Sequence, residues 1–128
     1  EPGPEFNHGG HAVAAAAAHA TLDLLEGGLQ ENAARLGEFL LAELRALKRR
    51  FPFLGDVRGR GLMIGLDFGD PDHPQPDLRD KAVRLAFEKG LLLLPAGPSA
   101  LRIAPPLVLT QEEAALGLEI LEEVFRAL

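Results

Sequence analysis

Leu29, Ala33, Leu36, Leu40, Leu44 and Leu47 recur three and four residues apart, whereas beyond Pro52 the residues Leu62, Ile64, Leu66 and Phe68 recur two apart. A helix repeats every 3.6 residues and a strand every two. The chain therefore carries a long helix with one apolar stripe and a strand with one buried face. Elements of this kind are stable only when their apolar sides cover one another, which restricts the fold to helices laid on a sheet.

The remaining segments fit that frame. After Gly9-Gly10, the alanine-rich run from His11 to Glu26 reads as a helix ended by Gly27-Gly28. Alanine lets backbones approach but buries little area, so this helix is expected to pack closely on a neighbour or against another domain. The long helix closes at Pro52. The stretch DVRGRGLMIGLDF reads as one strand with a bulge or close contact near Gly59 and Gly61. GDPDHPQPD reads as a surface loop, and Asp77 to Lys89 as a helix with Asp77 as N-cap and Gly90 just past its end. Leu91 to Leu94 form a short buried strand, PAGPS a turn and ALRIA a second strand. Thr110 and Glu113 match the capping pattern T-x-x-E and open a last helix. The expected class is α/β (α+β): a small, mostly antiparallel sheet of three to four strands covered by helices.

With 128 residues the chain has the size of one domain. Its net charge of −6 gives no general attraction for nucleic acid or anionic lipid. No cysteine is present, which excludes disulfides, thiolate nucleophiles and thiolate metal sites, and agrees with a cytoplasmic location. Leu91 to Leu109 approaches the length of a membrane span, but five prolines and glycines interrupt it and Arg102 sits at its centre. No membrane partner is expected. Residues 1–8 read as a remnant of cloning or a disordered start, apart from a domain over 9–128.

Arg102 is the polar residue that asks for an explanation, because no other formal charge occurs from Leu91 to Leu109. An unpaired buried cation costs several kcal/mol, so this guanidinium needs an anion or an open face. If Leu101 and Ile103 pack under the helices, Arg102 points from the opposite side of the sheet. Other chemistry is thin. His8, His11 and His19 have a spacing that could converge on zinc from one helix face, but they lack carboxylate company and no metal is expected. No Ser-His-Asp constellation or phosphate-binding loop is present, and Gly59-x-Gly61 lacks the third glycine and the helix of a dinucleotide site.

Four blocks, GGHAVAAAAAHATLDLLE, LGDVRGRGLMIGLDF, AFEKGLLLLPAG and ALRIAPPLVLTQEEAALGLEILEEVF, occur in order and together resemble the C-terminal part of class III aminotransferases. These pyridoxal-phosphate enzymes include acetylornithine, ornithine and 4-aminobutyrate aminotransferases. The resemblance implies the C-terminal small domain of a fold-type I enzyme. The large domain, with the Schiff-base lysine, would lie upstream, so no catalytic residue is assigned here. It also implies pyridoxal 5'-phosphate in the full-length enzyme, a homodimer, and amino-acid and 2-oxo-acid substrates.

Arg102 matches the family arginine in LR-(I/L/F)-x-P-P-L that binds a substrate carboxylate. Asn7 stands where the family has a threonine contacting the cofactor phosphate of the neighbouring subunit, and Gly9 and Gly10 match the glycines that follow it. His11-Ala12 replace the family's Asn-Pro. Arg58, Gly59 and Gly61 match the VRGxG block, read as architectural. The expected activity is transfer of an amino group from an amino acid to a 2-oxo acid such as 2-oxoglutarate, with the isolated chain inactive. Two alternatives stand beside it: a non-catalytic amino-acid-binding α/β module, and a domain for packing or dimerisation only.

Overall fold

Thirteen residues, Ala12–Leu24, form α1 in the computed structural model, which describes residues 9–128. The His11 ring nitrogen Nδ1 accepts the Ala14 N–H at 3.3 Å and caps its start. No residue of α1 is buried, and Val13, Leu22 and Leu24 stand exposed. The helical run breaks at Gly27-Gly28 as expected: Gly28, at φ 130°, is non-helical, and α2, Gln30–Arg50, begins just past this kink. Glycine adopts that backbone angle without a steric penalty. Along α2, Leu36, Leu40, Leu44 and Leu47 are buried, as their spacing requires.

The predicted single strand DVRGRGLMIGLDF is two. β1, Leu54–Arg60, pairs antiparallel with β2, Met63–Asp70, through a tight turn at Gly61. Gly61 has φ 56°, a left-handed conformation that favours glycine, which explains the glycine there better than a bulge does. The loop after β2 contributes a two-residue strand, β3, His73–Pro74, bonded to the end of β2. The Asp70 carboxylate accepts the backbone N–H groups of Asp72 and His73. Together with the His73 ring, these hydrogen bonds, that of the His73 backbone first, hold Asp70 below the usual carboxylate range.

Helix α3 spans Pro76–Glu88, one residue earlier than expected, with Pro76 in its first turn and Gln75 rather than Asp77 at the N-cap. Proline fits there because its missing N–H would have no helical partner. Strand β4 is Leu94–Ala96, displaced from the predicted Leu91–Leu94, and β5 is Ala100–Ile103. Leu91 and Leu93 still turn inward, but the hydrogen-bonded ladder begins only at Leu94. All strand pairs are antiparallel and the sheet runs β1-β2-β5-β4, with β3 beside β2. Helix α4, Gln111–Arg126, closes the fold.

One side of this sheet is covered and the other is not. Val57, Ile64, Leu66, Phe68 and Leu101 are buried with the apolar stripes of α2 and α4 and with Ala82 and Ala86 of α3. Phe53, Phe68 and Phe125 meet edge to face at 5.6 to 6.0 Å where α2 ends and β1 begins. Each such pair adds about 0.5–1.5 kcal/mol beyond its buried area. Among the described residues, no helix is long and apolar enough to cross a membrane.

The expected capping box is present. Thr110 Oγ1 accepts the Glu113 N–H and Glu113 Oε1 accepts the Thr110 N–H. Because α4 delivers Ala114, Leu121, Val124 and Phe125 to the core, Thr110→Ala is expected to lower unfolding free energy by about 1 kcal/mol. A shift of the urea midpoint at unchanged slope checks this.

Candidate functional site

Arg102 lies on β5 directly opposite Gly65 of β2 on one side and Leu94 of β4 on the other. Its neighbour Leu101 is fully buried, so alternation sends Arg102 to the open face of the sheet, where it is exposed. Among the described residues its side chain makes no hydrogen bond or ion pair. It borders an open depression with Arg58, Arg60, Met63, Gly65 and Ala100. The acid that would lock this guanidinium inside its own domain is therefore not among the described residues, and the open face removes the burial cost that its apolar sequence context implied.

The second guanidinium on this face is engaged. Arg58, opposite Gly65 on β1, donates to Asp67 Oδ2 at 2.7 Å and to Asp56 Oδ2 at 3.3 Å. The hydrogen bond to Asp67 is the main reason its pKa lies above the ordinary arginine value. The two arginines share one row of the sheet but differ in state: one is neutralised, the other is available to an anion.

Two helices fix the short strand that bears Arg102. At its entry, the buried Arg79 of α3 donates through Nη1 to the carbonyl oxygens of Ala100 at 2.8 Å, Ala96 at 3.3 Å and Gly97 at 3.4 Å, and through Nη2 to that of Pro98 at 3.4 Å. Ser99 adds a hydrogen bond from Oγ to the Phe68 carbonyl and accepts the Gln75 N–H. At the exit, Asn32 Nδ2 of α2 donates to the carbonyls of Leu107 at 2.7 Å and Leu109 at 3.0 Å. Sequence reasoning missed Arg79 and Asn32. The available signal was PAGPSA itself, whose two prolines supply carbonyls but no N–H and so call for donors from elsewhere.

Of the other sequence-predicted positions, Asn7 and His8 lie outside the described residues. Gly9 and Gly10 form an exposed turn before α1. His11 is the helix cap, and among the described residues no three His, Cys, Asp or Glu side chains converge as metal ligands. Gly59 approaches the Met63 carbonyl oxygen so closely that a Cβ would stand 2.7 Å from it, in keeping with an architectural role for the VRGxG block.

Residues 5–125 match the family described as aminotransferase class-III. The chain belongs to this family. Similar proteins include the alanine/serine racemase of Pyrococcus horikoshii, 44% identical over 89% of this chain and 25% of the relative. The acetylornithine aminotransferase of Gloeobacter violaceus is 43% identical over 100% of this chain and 31% of its own length. An amine transaminase from an uncultivated Pseudomonas species, solved in its PLP-bound form, is 37% identical with a TM-score of 0.84 over 97% of this chain and 29% of that one. The chain thus spans a quarter to a third of the length of these relatives.

The described residues place no Schiff-base lysine beside Arg102 to hold pyridoxal phosphate. Lys48, Lys81 and Lys89, the only lysines of the sequence, are exposed on or just beyond α2 and α3, and none borders the Arg102 depression. Lys89 reaches Glu123 at 3.4 Å. What the class III chain offers at this site is a positioned cation on a wall, with no nucleophile beside it.

Proposed function

We propose that this chain is the C-terminal domain, over residues 9–128, of a full-length aminotransferase that moves an amino group from an amino acid to a 2-oxo acid such as 2-oxoglutarate. The donor would be of the acetylornithine, ornithine or 4-aminobutyrate kind. Pyridoxal phosphate, held by residues outside this chain, supplies the amino-group chemistry. Asn7, Gly9 and Gly10 would approach the cofactor phosphate of a neighbouring subunit in a homodimer, and the uncovered α1 would lie against the large domain. A cytoplasmic location belongs to the same proposal.

The observation that carries the reading is Arg102, exposed on the uncovered sheet face with no acidic partner among the described residues. A planar guanidinium grips a carboxylate by two parallel hydrogen bonds, each worth about 1.5–3 kcal/mol. It thereby fixes the orientation of the substrate, and orientation contributes to rate. Lysine keeps the charge but loses the fork. Arg102→Lys in the full-length protein is expected to lower kcat/KM for carboxylate substrates at least about tenfold, near 1.4 kcal/mol. Unchanged kinetics would reduce Arg102 to a surface charge.

A second reading, interconversion of amino-acid enantiomers, is supported by the 44% identity with alanine/serine racemase. Incubating the full-length protein with L-alanine or L-serine separates the two. Appearance of the D-enantiomer without any 2-oxo acid favours racemisation, and a requirement for 2-oxo acid favours transfer.

A further inference from the structure

Gly65 sits in the interior of β2, flanked by β1 and β5, a place where glycine weakens a sheet by leaving backbone entropy to be lost and nothing to pack. Nearby glycines have reasons in the fold. A Cβ at Gly37 would collide with the backbone of Gly61, and one at Gly55 with the carbonyl of Gly69. Gly65 has neither constraint. Its φ is outside the left-handed region, and a Cβ there would meet nothing nearer than the Arg58 guanidinium at 3.5 Å, an ordinary contact. The fold would accept alanine.

What distinguishes the position is its neighbours. Gly65 is the direct cross-strand partner of both Arg58 and Arg102, and directly paired residues project from the same face about 5 Å apart. The row therefore reads as a neutralised guanidinium that reaches over Gly65 from the β1 side, backbone without a side chain toward β5, and a guanidinium without an acidic partner. Ala96 and Ala100, paired on the adjacent strands, keep the neighbouring ground low as well. Glycine within a strand marks places where a ligand approaches the backbone.

We propose, on the reading of Arg102 as a carboxylate anchor, that Gly65 determines substrate specificity: its bare backbone receives the carbon skeleton adjoining the carboxylate that Arg102 holds. A side chain at 65 would occupy the volume of that skeleton, and longer or substituted acids would suffer more than short ones.

The test is made in the full-length, cofactor-loaded protein, with Gly65→Ala, Gly65→Val and Arg102→Leu, against pyruvate and 2-oxoglutarate as acceptors. The expected result is a KM for 2-oxoglutarate raised about tenfold by Gly65→Ala and more by Gly65→Val, a smaller rise for pyruvate, and kcat and thermal midpoint little changed. An unchanged KM in both Gly65 variants, with Arg102→Leu impaired, overturns this inference and leaves the anchor standing. Full activity of Arg102→Leu overturns the anchor and the inference together. A fall in thermal midpoint matching the loss of activity would mean that Gly65 serves only the Arg58–Asp67 pair, and also overturns it.

Discussion

Arg79→Ala is expected to lower the unfolding free energy of this chain by about 3 kcal/mol, and to drop its thermal midpoint by roughly 10 °C. The side chain is the buried charged group of the core, and its hydrogen bonds run to backbone rather than to a matched ion. Its contact with Asp80 at 2.6 Å contributes little, since that carboxylate is 64% exposed and water screens the pair. The loss comes from the carbonyls. That of Ala100 keeps its place in the β4–β5 ladder but loses a buried charged hydrogen bond, and such bonds are worth about 1.5–3 kcal/mol each. The Ala96, Gly97 and Pro98 carbonyls are less buried and can recover water, which keeps the total near the lower end of the sum. Arg79→Lys should fall between, because an ammonium serves the same turn with fewer fixed donors. Equal stability of Arg79→Ala and the parent chain in denaturant titration would show that the turn holds itself.

Gly37→Ala is the second large effect, and its sign is the informative part. In the middle of an ordinary helix this substitution stabilises by about 1 kcal/mol through helix propensity. Gly37 is buried on α2 against the hairpin turn of β1 and β2, and an added methyl would meet the Gly61 backbone, which cannot rotate away as a side chain would. Overpacking of this sort costs about 1–3 kcal/mol or more, so a net loss of about 2 kcal/mol is expected where propensity alone forecasts a gain. The same substitution at Gly65 is predicted to leave stability alone. Comparing the two urea midpoints therefore tests whether the close helix–turn approach is real. A stabilised Gly37→Ala protein would refute it.

Amphipathic elements were legible in the sequence. The stripe of α2, the alternation of β2 and the capping box of α4 are each repeated signals within one element, and each stands as read. Strand β1 was not separable from β2, because an irregular register between Leu54 and Asp56 leaves its buried residues Leu54 and Val57 three apart, where a strand should show two. Leu91 to Leu94 misled for a different reason: an apolar run records burial, but not whether the backbone is paired to a neighbouring strand. Arg102 was placed on its face by alternation alone. That its charge meets no acid on the surrounding strands depends on register, and so could not be read in advance. Arg79 was hidden because one arginine on a helix with a polar side looks solvated until the partner turn, about twenty residues on, is folded beneath it.

The separation of the covered and uncovered sides of the sheet has an evolutionary consequence. Packing is settled beneath the strands, by Leu66, Phe68, Leu101 and the helices, while Gly65, Met63 and Arg102 above them carry little of that burden. Drift on the upper side can therefore alter the exposed face without unsettling the scaffold. Sequences as similar to this chain as a protein named alanine/serine racemase and one named acetylornithine aminotransferase are the variation such a division would permit.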